Sequence, residues 1–545
     1  MTGQAPGKLW MYFLEAVVIT VPTSLVILAG YRRSVARSMR QTGDGATMPL
    51  PTIHAEPQAG AAFVAQASKI VGEGSITTIR LRLALVYGMG SLVAAGIMAV
   101  LFAFSMRFEL GALAAFVSWY VYAWPLVPIM ITLLALPRGR NSTFLLIYVV
   151  LGALIVIGWS GFSSVVLGHS DVSPLTNARF FLEFLVRESW LPYLIILVTG
   201  NRRLRPVSPI VLAGLLVFSF GSLFARDFYI AAVQADPTAS WFLFAGASTY
   251  SLWYVIAAVP IGYIYWLGIQ RLAVWYERKW FSDVQLPVGS WWLIVAFKIS
   301  SQLASDLGWG GLAGLLAFAG YRGTVEMGLR LFRSGADRKG PTLLLLRVFG
   351  FQRRTEALFN SIAEQWRFLG PVTMIAGTDL AMRTFSPGDI VGFMSGRLQS
   401  LFIGGEARIH RLSAAIDGVR DPDDRFRTTK VFCRDDTWRA ALIELLRHSD
   451  LVLMDLRGFT ANNSGCVFEI HTLVARRLLP RTLLVVDDST DVALLEATVR
   501  QFAAASDETA LRQKDMPPIH VSHLTAQSGA ELARVYERLK VLAAT

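Results

Sequence analysis

The stretch Leu451-Val452-Leu453-Met454-Asp455-Leu456-Arg457-Gly458-Phe459-Thr460-Ala461-Asn462-Asn463-Ser464-Gly465-Cys466-Val467-Phe468-Glu469-Ile470 decides the fold of the second half of this chain. It opens on an apolar run, as a strand covered on both faces should. A loop of Arg, Gly and Asn follows, and then a helical pattern that begins near Ser464. The same alternation recurs on either side. Further strands are predicted at Thr342–Phe349, Pro371–Ala376, Lys430–Cys433, Arg481–Val486 and Ile519–Leu524, besides Leu451–Leu456 itself. Helical patterns lie at Thr355–Phe368, Ile390–Leu401, Thr437–Leu446, Gly465–Arg477, Asp491–Ala505 and Ala530–Ala543. Short apolar runs alternating with amphipathic helices make a doubly wound, mostly parallel α/β sheet the economical reading for residues 341–545.

In such sheets ligands bind beyond the carboxyl ends of the strands, where loop backbone and helix N-termini converge. The chemistry-bearing residues fall there: Arg347-Val348-Phe349-Gly350, Gly377-Thr378-Asp379, Asp455 to Gly458, and Asp487-Asp488-Ser489-Thr490-Asp491. Arg347 or Arg457 could hold a phosphate through a bidentate fork. The free N–H groups opening the helix at Ser464–Cys466 favour an anion. About one turn into that helix, Glu469 can face the crevice with Asp455. Such a carboxylate can stabilise an oxocarbenium-like state, trap it covalently or hold ribose hydroxyls. Glu469 is therefore the candidate catalytic residue, and Asp455, Arg347, Gly350, Gly458 and Ser464 are the candidate substrate-binding set.

Each has a structural alternative. Glu469 as an exposed first-turn carboxylate would contribute roughly 0.3–1 kcal/mol against the helix dipole, and Ser464 would serve as N-cap. Asp455 would cap its loop and Arg347 would pair with an acid. Cys466 reads as a small buried hydrophobe, without a His/Asn pattern for a thiol nucleophile. The Asp487–Asp491 cluster reads as a strand-end turn running into a helix cap, and no metal site is expected. No Walker loop, dinucleotide Gly-x-Gly-x-x-Gly, zincin or nucleophile-elbow pattern occurs.

The first part of the chain has a different character. Of 545 residues, 54% are hydrophobic and 17% charged, with mean hydropathy +0.47, which excludes a wholly soluble or a disordered protein. Seven segments approach the length of a bilayer-spanning helix: Leu9–Ala29, Leu83–Phe104, Leu113–Leu136, Phe144–Leu167, Phe180–Val198, Pro209–Phe224 and Trp241–Leu267. Two shorter apolar runs, Trp291–Leu303 and Trp309–Tyr321, read as a hairpin, so that residues 1–330 form a polytopic helical domain. Of the net charge, 51 − 39 = +12, residues 1–321 carry +8 from 21 basic and 13 acidic groups. The excess thus lies with the apolar half, where basic residues orient helices rather than bind nucleic acid.

Alternate loops hold the basic residues: Arg32, Arg33, Arg37 and Arg40; Arg138 and Arg140; Arg202, Arg203 and Arg205; Arg271, Arg278 and Lys279. Cytoplasmic loops retain Lys and Arg, so the N-terminus is expected outside the cell membrane and the sheet domain in the cytoplasm. The only cysteines, Cys433 and Cys466, suit that reducing side. Charges within apolar segments are Glu15, Glu183 with Arg187 four residues on and Glu188 beside them, Lys298 and Asp306. They read either as internal ion pairs and snorkelling side chains or as an ion path. The loop Tyr31–Leu81 reads as a Gly/Pro/Thr-rich cytoplasmic linker with a short amphipathic stretch at Ala61–Val71.

The run Ser464-Gly465-Cys466-Val467-Phe468-Glu469-Ile470 resembles the Ser-Trp-Cys-x-x-Glu-Leu stretch of TIR (Toll/interleukin-1 receptor) domains, with Gly465 in place of the Trp. It is also similar to nucleoside 2-deoxyribosyltransferases, in which a strand, an Asp/Gly loop and a helix-borne Glu follow in that order. The resemblance implies a flavodoxin/TIR-like sheet and a Glu469 that acts at the anomeric carbon of a ribosyl N-glycosidic bond. It further implies NAD or another nucleotide as substrate with no cofactor required, and a homo-oligomer formed through the cytoplasmic domain. The expected partners are then the lipid bilayer and a nucleotide small molecule. A non-catalytic signalling scaffold and a transporter with a regulatory nucleotide-binding domain remain as alternatives.

Overall fold

The computed structural model describes residues 7–40, 76–105, 111–134, 138–166, 173–199, short stretches between 204 and 217, 246–332, 340–347, 352–376, 386–398, 402–403, 409, 418–433, 437–506, 518–525 and 528–544. The chain divides into two compact units. One comprises Met1–Ala29, Arg80–Phe332 and Ser386–Ser395, the other Gly30–Ile79, Arg333–Phe385 and Gly396–Thr545.

Before the first strand the described helices are α1 (Gly7–Arg40), α2 (Ile76–Ser105), α3 (Ala112–Tyr122), α4 (Leu126–Leu134), α5 (Arg138–Val166), α6 (Pro174–Thr199), α7 (Gly246–Glu277), α8 (Gln285–Leu307) and α9 (Leu315–Leu331). Among the described residues three helices are long and apolar enough to cross a membrane, at Thr77–Ser105, Ala112–Ile131 and Thr143–Phe162. The chain therefore carries a multi-pass membrane region. The expected span Pro209–Phe224 falls largely outside the described residues, as does most of the linker before α2.

Local chemistry explains where these helices break. The expected single helix Leu113–Leu136 divides into α3 and α4 because Pro125 has no N–H and disfavours helix at the residue before it. The Ala123 amide still closes α3 on Trp119 O at 3.0 Å, and Leu126 N restarts the chain on Ala123 O at 2.9 Å. Only 17% of the α5 span is buried, with Leu146, Ile147, Leu151, Leu154 and Phe162 exposed, so this helix presents its apolar face to lipid. Its other face carries Tyr148, stacked on Tyr120 at 4.4 Å, and each hydroxyl donates to the other residue's carbonyl.

The expected hairpin is present in longer form. A 3₁₀ turn at Gly308–Gly314 folds the chain back on α8 so closely that a Cβ at Gly314 would lie 2.4 Å from Ser300 Oγ. Trp292 of α8 then stacks on Tyr321 of α9 at 5.5 Å. Glu183 pairs with Arg179 at 2.8 Å, and its expected partner Arg187 has a side chain that lies outside the described residues, along with those of Glu15, Glu188 and Asp306. At 62% exposure the Glu183 side chain does not line an interior path.

Among the described residues the second unit has seven strands: β1 (Leu343–Arg347), β2 (Val372–Ala376), β3 (Phe402–Ile403), β4 (Thr428–Cys433), β5 (Leu451–Asp455), β6 (Thr482–Val486) and β7 (His520–His523). They lie in the order β3-β4-β2-β1-β5-β6-β7, and every pair is parallel. The helices after β1 are α10 (Gln352–Trp366), α11 (Pro387–Met394), α12 (Trp438–Arg447), α13 (Ser464–Ala475), α14 (Val492–Ser506) and α15 (Gly529–Ala544).

Alternation along the central strands assembles two cores. Leu343, Leu345, Leu451 and Leu453 pack with Leu358, Phe359, Ile362 and Trp366 of α10 and with Val535 and Leu539 of α15. Leu344, Leu346, Val452 and Met454 pack on the other face with Leu442 of α12, Ile470 of α13 and Val499 of α14. Helices on both faces explain why these strands read as uninterrupted apolar runs. Two sequence expectations change. The two-residue edge strand β3 has too little length to show a period. The helix expected at Ile390–Leu401 runs instead from Pro387 to Met394, because a capping box of Ser386 and Asp389 starts it and Gly396, at φ +76, turns the chain away beyond its end.

Candidate functional site

Strand order fixes where a site can form. From β1 the chain moves to β2 on one side of the sheet and later crosses to β5 on the other, so β1 and β5 flank the point where strand order reverses. Arg347 and Asp455 are the last residues of these two strands and stand opposite each other in register. The crevice beyond such a point is where open α/β sheets bind ligands.

Four charged side chains gather here, all nearly inaccessible to solvent: Arg347 3%, Asp455 1%, Arg457 3% and Glu469 3% exposed. Arg457 turns back on Asp455 in a double fork, with Nε donating to Oδ1 and Nη2 to Oδ2, both at 2.7 Å. Thr355 Oγ1 of α10 donates to Asp455 Oδ2 at 2.9 Å. Two guanidinium hydrogen bonds and a hydroxyl leave Asp455 well satisfied, as a buried charge must be. The loop that permits this turn has Gly458 at φ +73, a left-handed position natural to glycine, and is pinned by Phe459, fully buried beneath it.

The neighbouring β6 loop locks onto the same corner. Asp487 Oδ1 accepts from Ser489 N at 3.1 Å and Ser489 Oγ at 2.5 Å, while Thr490 Oγ1 donates to Leu456 O at 3.0 Å. Burial works to raise the Asp487 carboxyl, but hydrogen bonds from Ser489, Thr490 and the Gly458 amide together bring it below its ordinary value. Asp491 Oδ1 accepts from Leu494 N at 2.9 Å and so caps α14. Among the described residues no group of three or more His, Cys, Asp or Glu side chains is placed to hold a metal ion.

Glu469 lies on the second turn of α13, turned inward. Burial pushes its carboxyl up to about 8, against the opposing charge of Arg347. Its Oε2 is buried without a hydrogen-bond partner among the described residues, and so is Arg457 Nη1. Unpaired polar atoms at such depth are costly, roughly 1–3 kcal/mol each. The corner thus holds two guanidinium groups, one well-satisfied aspartate and one mostly protonated glutamic acid.

The structure thus brings Arg347, Asp455 and Glu469 to one corner, with Gly458 in the adjoining turn. Ser464 is the first residue of α13 and is exposed, while Asn463 holds the cap position. The Asn463 side chain accepts from Thr460 N at 2.8 Å instead of closing the helix. Gly350 lies outside the described residues. Cys466, 1% exposed, places its thiol 3.8 Å from Arg347 O. Thr355 is the member that the sequence did not disclose: it reads as an ordinary first-turn residue of α10, one hundred positions from the carboxylate it bonds, and no local pattern marks it.

No known protein family, curated protein or solved structure matches the chain. What fold and site define is a class: a multi-pass membrane region joined to a separate, doubly wound α/β domain whose described strands are all parallel, with a buried charged cluster at the sheet's switch point.

Proposed function

We propose that the α/β domain is a cytoplasmic, TIR-like nucleotide-binding effector that cleaves the N-glycosidic bond of NAD or a nucleoside, under control of the membrane region. The observation that carries this reading is Glu469: a buried carboxyl with one oxygen unpaired among the described residues, beside Arg347, where open α/β sheets take their ligands. Arg347 would hold a phosphate. A ribosyl hydroxyl donating to Glu469 Oε2 would give that atom its missing partner and favour the ionised carboxyl over the protonated one that burial holds in the empty site. That carboxylate would stabilise positive charge at the anomeric carbon as the base departs with the C–N bonding pair, before water adds there. Asp455 and Arg457, tied to each other and to Thr355, position the corner.

The test is nicotinamide release by the full-length protein in lipid nanodiscs, wild type beside Glu469→Gln. Loss of turnover in the variant, with nucleotide still bound, supports an N-glycosidase. Equal turnover in both removes Glu469 from the chemistry, and none in either favours a signalling scaffold.

A further inference from the structure

Helix α11 is written into the sheet domain's sequence, between β2 and β3, yet residues Ser386–Ser395 belong to the helical unit. The chain leaves the sheet unit after Phe385, supplies one short helix to the helical unit and returns at Gly396. Its seat there is built rather than incidental. Ile390 and Val391 are 0% and 1% exposed. Gln270 Nε2 of α7 donates to Ser395 O at 3.0 Å, satisfying a carbonyl at the end of α11 that the helix itself cannot pair. Gly388 lies so close to Tyr276 of α7 that a Cβ would come within 2.4 Å of the ring. The ring is held in turn by Tyr276 OH donating to Asp283 Oδ1 at 2.5 Å. At its start α11 is closed by the reciprocal Ser386 and Asp389 bonds, with Pro387 in the first turn.

We infer that α11 is a strap by which helix α7 regulates the nucleotide site, an inference that rests on the functional reading above. One end of the strap continues from β2, the immediate neighbour of β1 and hence of Arg347. The other end leads into β3, which is held to the sheet by two residue pairs to β4, Phe402 with Phe432 and Ile403 with Cys433. An edge strand this short has little stability of its own. A shift or rotation of α7 that releases Gly388 and Ser395 therefore acts on the chain that leaves the carboxyl end of β2 and on the chain that enters the start of β3, whereas β6 and β7, on the far side of β5, have no such connection.

The experiment is hydrogen exchange across the full-length protein in nanodiscs, for wild type, Gly388→Val, Gln270→Ala and Glu469→Gln. Gly388→Val forces α11 off Tyr276, and the milder Gln270→Ala guards against a general folding defect. Both are expected to speed exchange in α11 and in peptides covering β2 and β3 by about tenfold while β6 and β7 keep wild-type protection, and to lower nicotinamide release. Glu469→Gln should abolish release and leave the exchange pattern unchanged. Protection of α11, β2 and β3 at wild-type levels in both seat variants would overturn the strap, and so would uniform loosening of all seven strands. If wild type releases no nicotinamide, the functional reading fails and the exchange pattern still decides the strap.

Discussion

Glu469 concentrates the consequences at the scale of one residue. Folded, it keeps its proton up to about pH 8, and unfolded it loses the proton near its ordinary value of 4.5. Between these values the folded chain holds more protons than the unfolded one, so stability must fall as pH rises, by up to ~1.4 kcal/mol per pH unit from this group alone. Glu469→Gln should remove that slope, and urea denaturation at pH 5 and pH 8 reads it directly; parallel slopes in the two proteins would contradict a buried titrating carboxyl. Asp455 and Arg457 carry a second prediction. Removing one partner strands a buried charge, so Arg457→Ala should cost about 3–5 kcal/mol, while the paired change of Asp455→Leu with Arg457→Met should recover most of that loss. Equal losses in the single and double variants would mean that the pair is not coupled. Glu469 and Asp455 were legible as candidates because their spacing from a strand end is local information. That Asp455 would be occupied by Arg457 and Thr355 was not, since it depends on a turn and on a helix one hundred residues upstream.

At the scale of elements, strands read best where both faces are covered. Leu451–Asp455 and Leu343–Arg347 are buried at every position, and their unbroken apolar character announced them. Leu453→Ala should therefore cost roughly 2–5 kcal/mol through lost burial and cavity formation. In contrast, Val521→Ala on β7, 43% exposed, should stay within about 0.5 kcal/mol. Hydrogen exchange of the β5 and β6 amides compares the two, and similar effects would show that β7 is not a solvent-facing edge. Elements of two or eight residues are a different matter. No period can be read in Phe402–Ile403, and α11 starts and stops earlier than the helix predicted at Ile390–Leu401 because its ends are set by Ser386 and Gly396.

For the whole molecule, the prediction concerns sidedness. Basic residues gather in alternate loops, so the N-terminus should face outward and the C-terminal domain the cytoplasm. Native Cys433 and Cys466 are both buried, which keeps the background low for thiol labelling of intact cells. Thr2→Cys should react with an impermeant maleimide from outside, and Thr545→Cys only after lysis; the reverse order would invert the topology.

The sequence alone determined that a membrane region precedes a parallel α/β domain, because bilayer length, two-sided strand burial and helical period are local regularities that any window of residues displays. It also set the candidate residues Arg347 and Asp455 at strand ends. Tertiary structure decided the rest: strand order, which sets β1 beside β5 and so makes Arg347 and Asp455 neighbours; the inward turn and burial of Glu469; and the loan of α11 to the helical unit. Each of these joins residues a hundred or more positions apart or depends on how much water a packed neighbour removes. Such contacts leave no periodic trace in the chain.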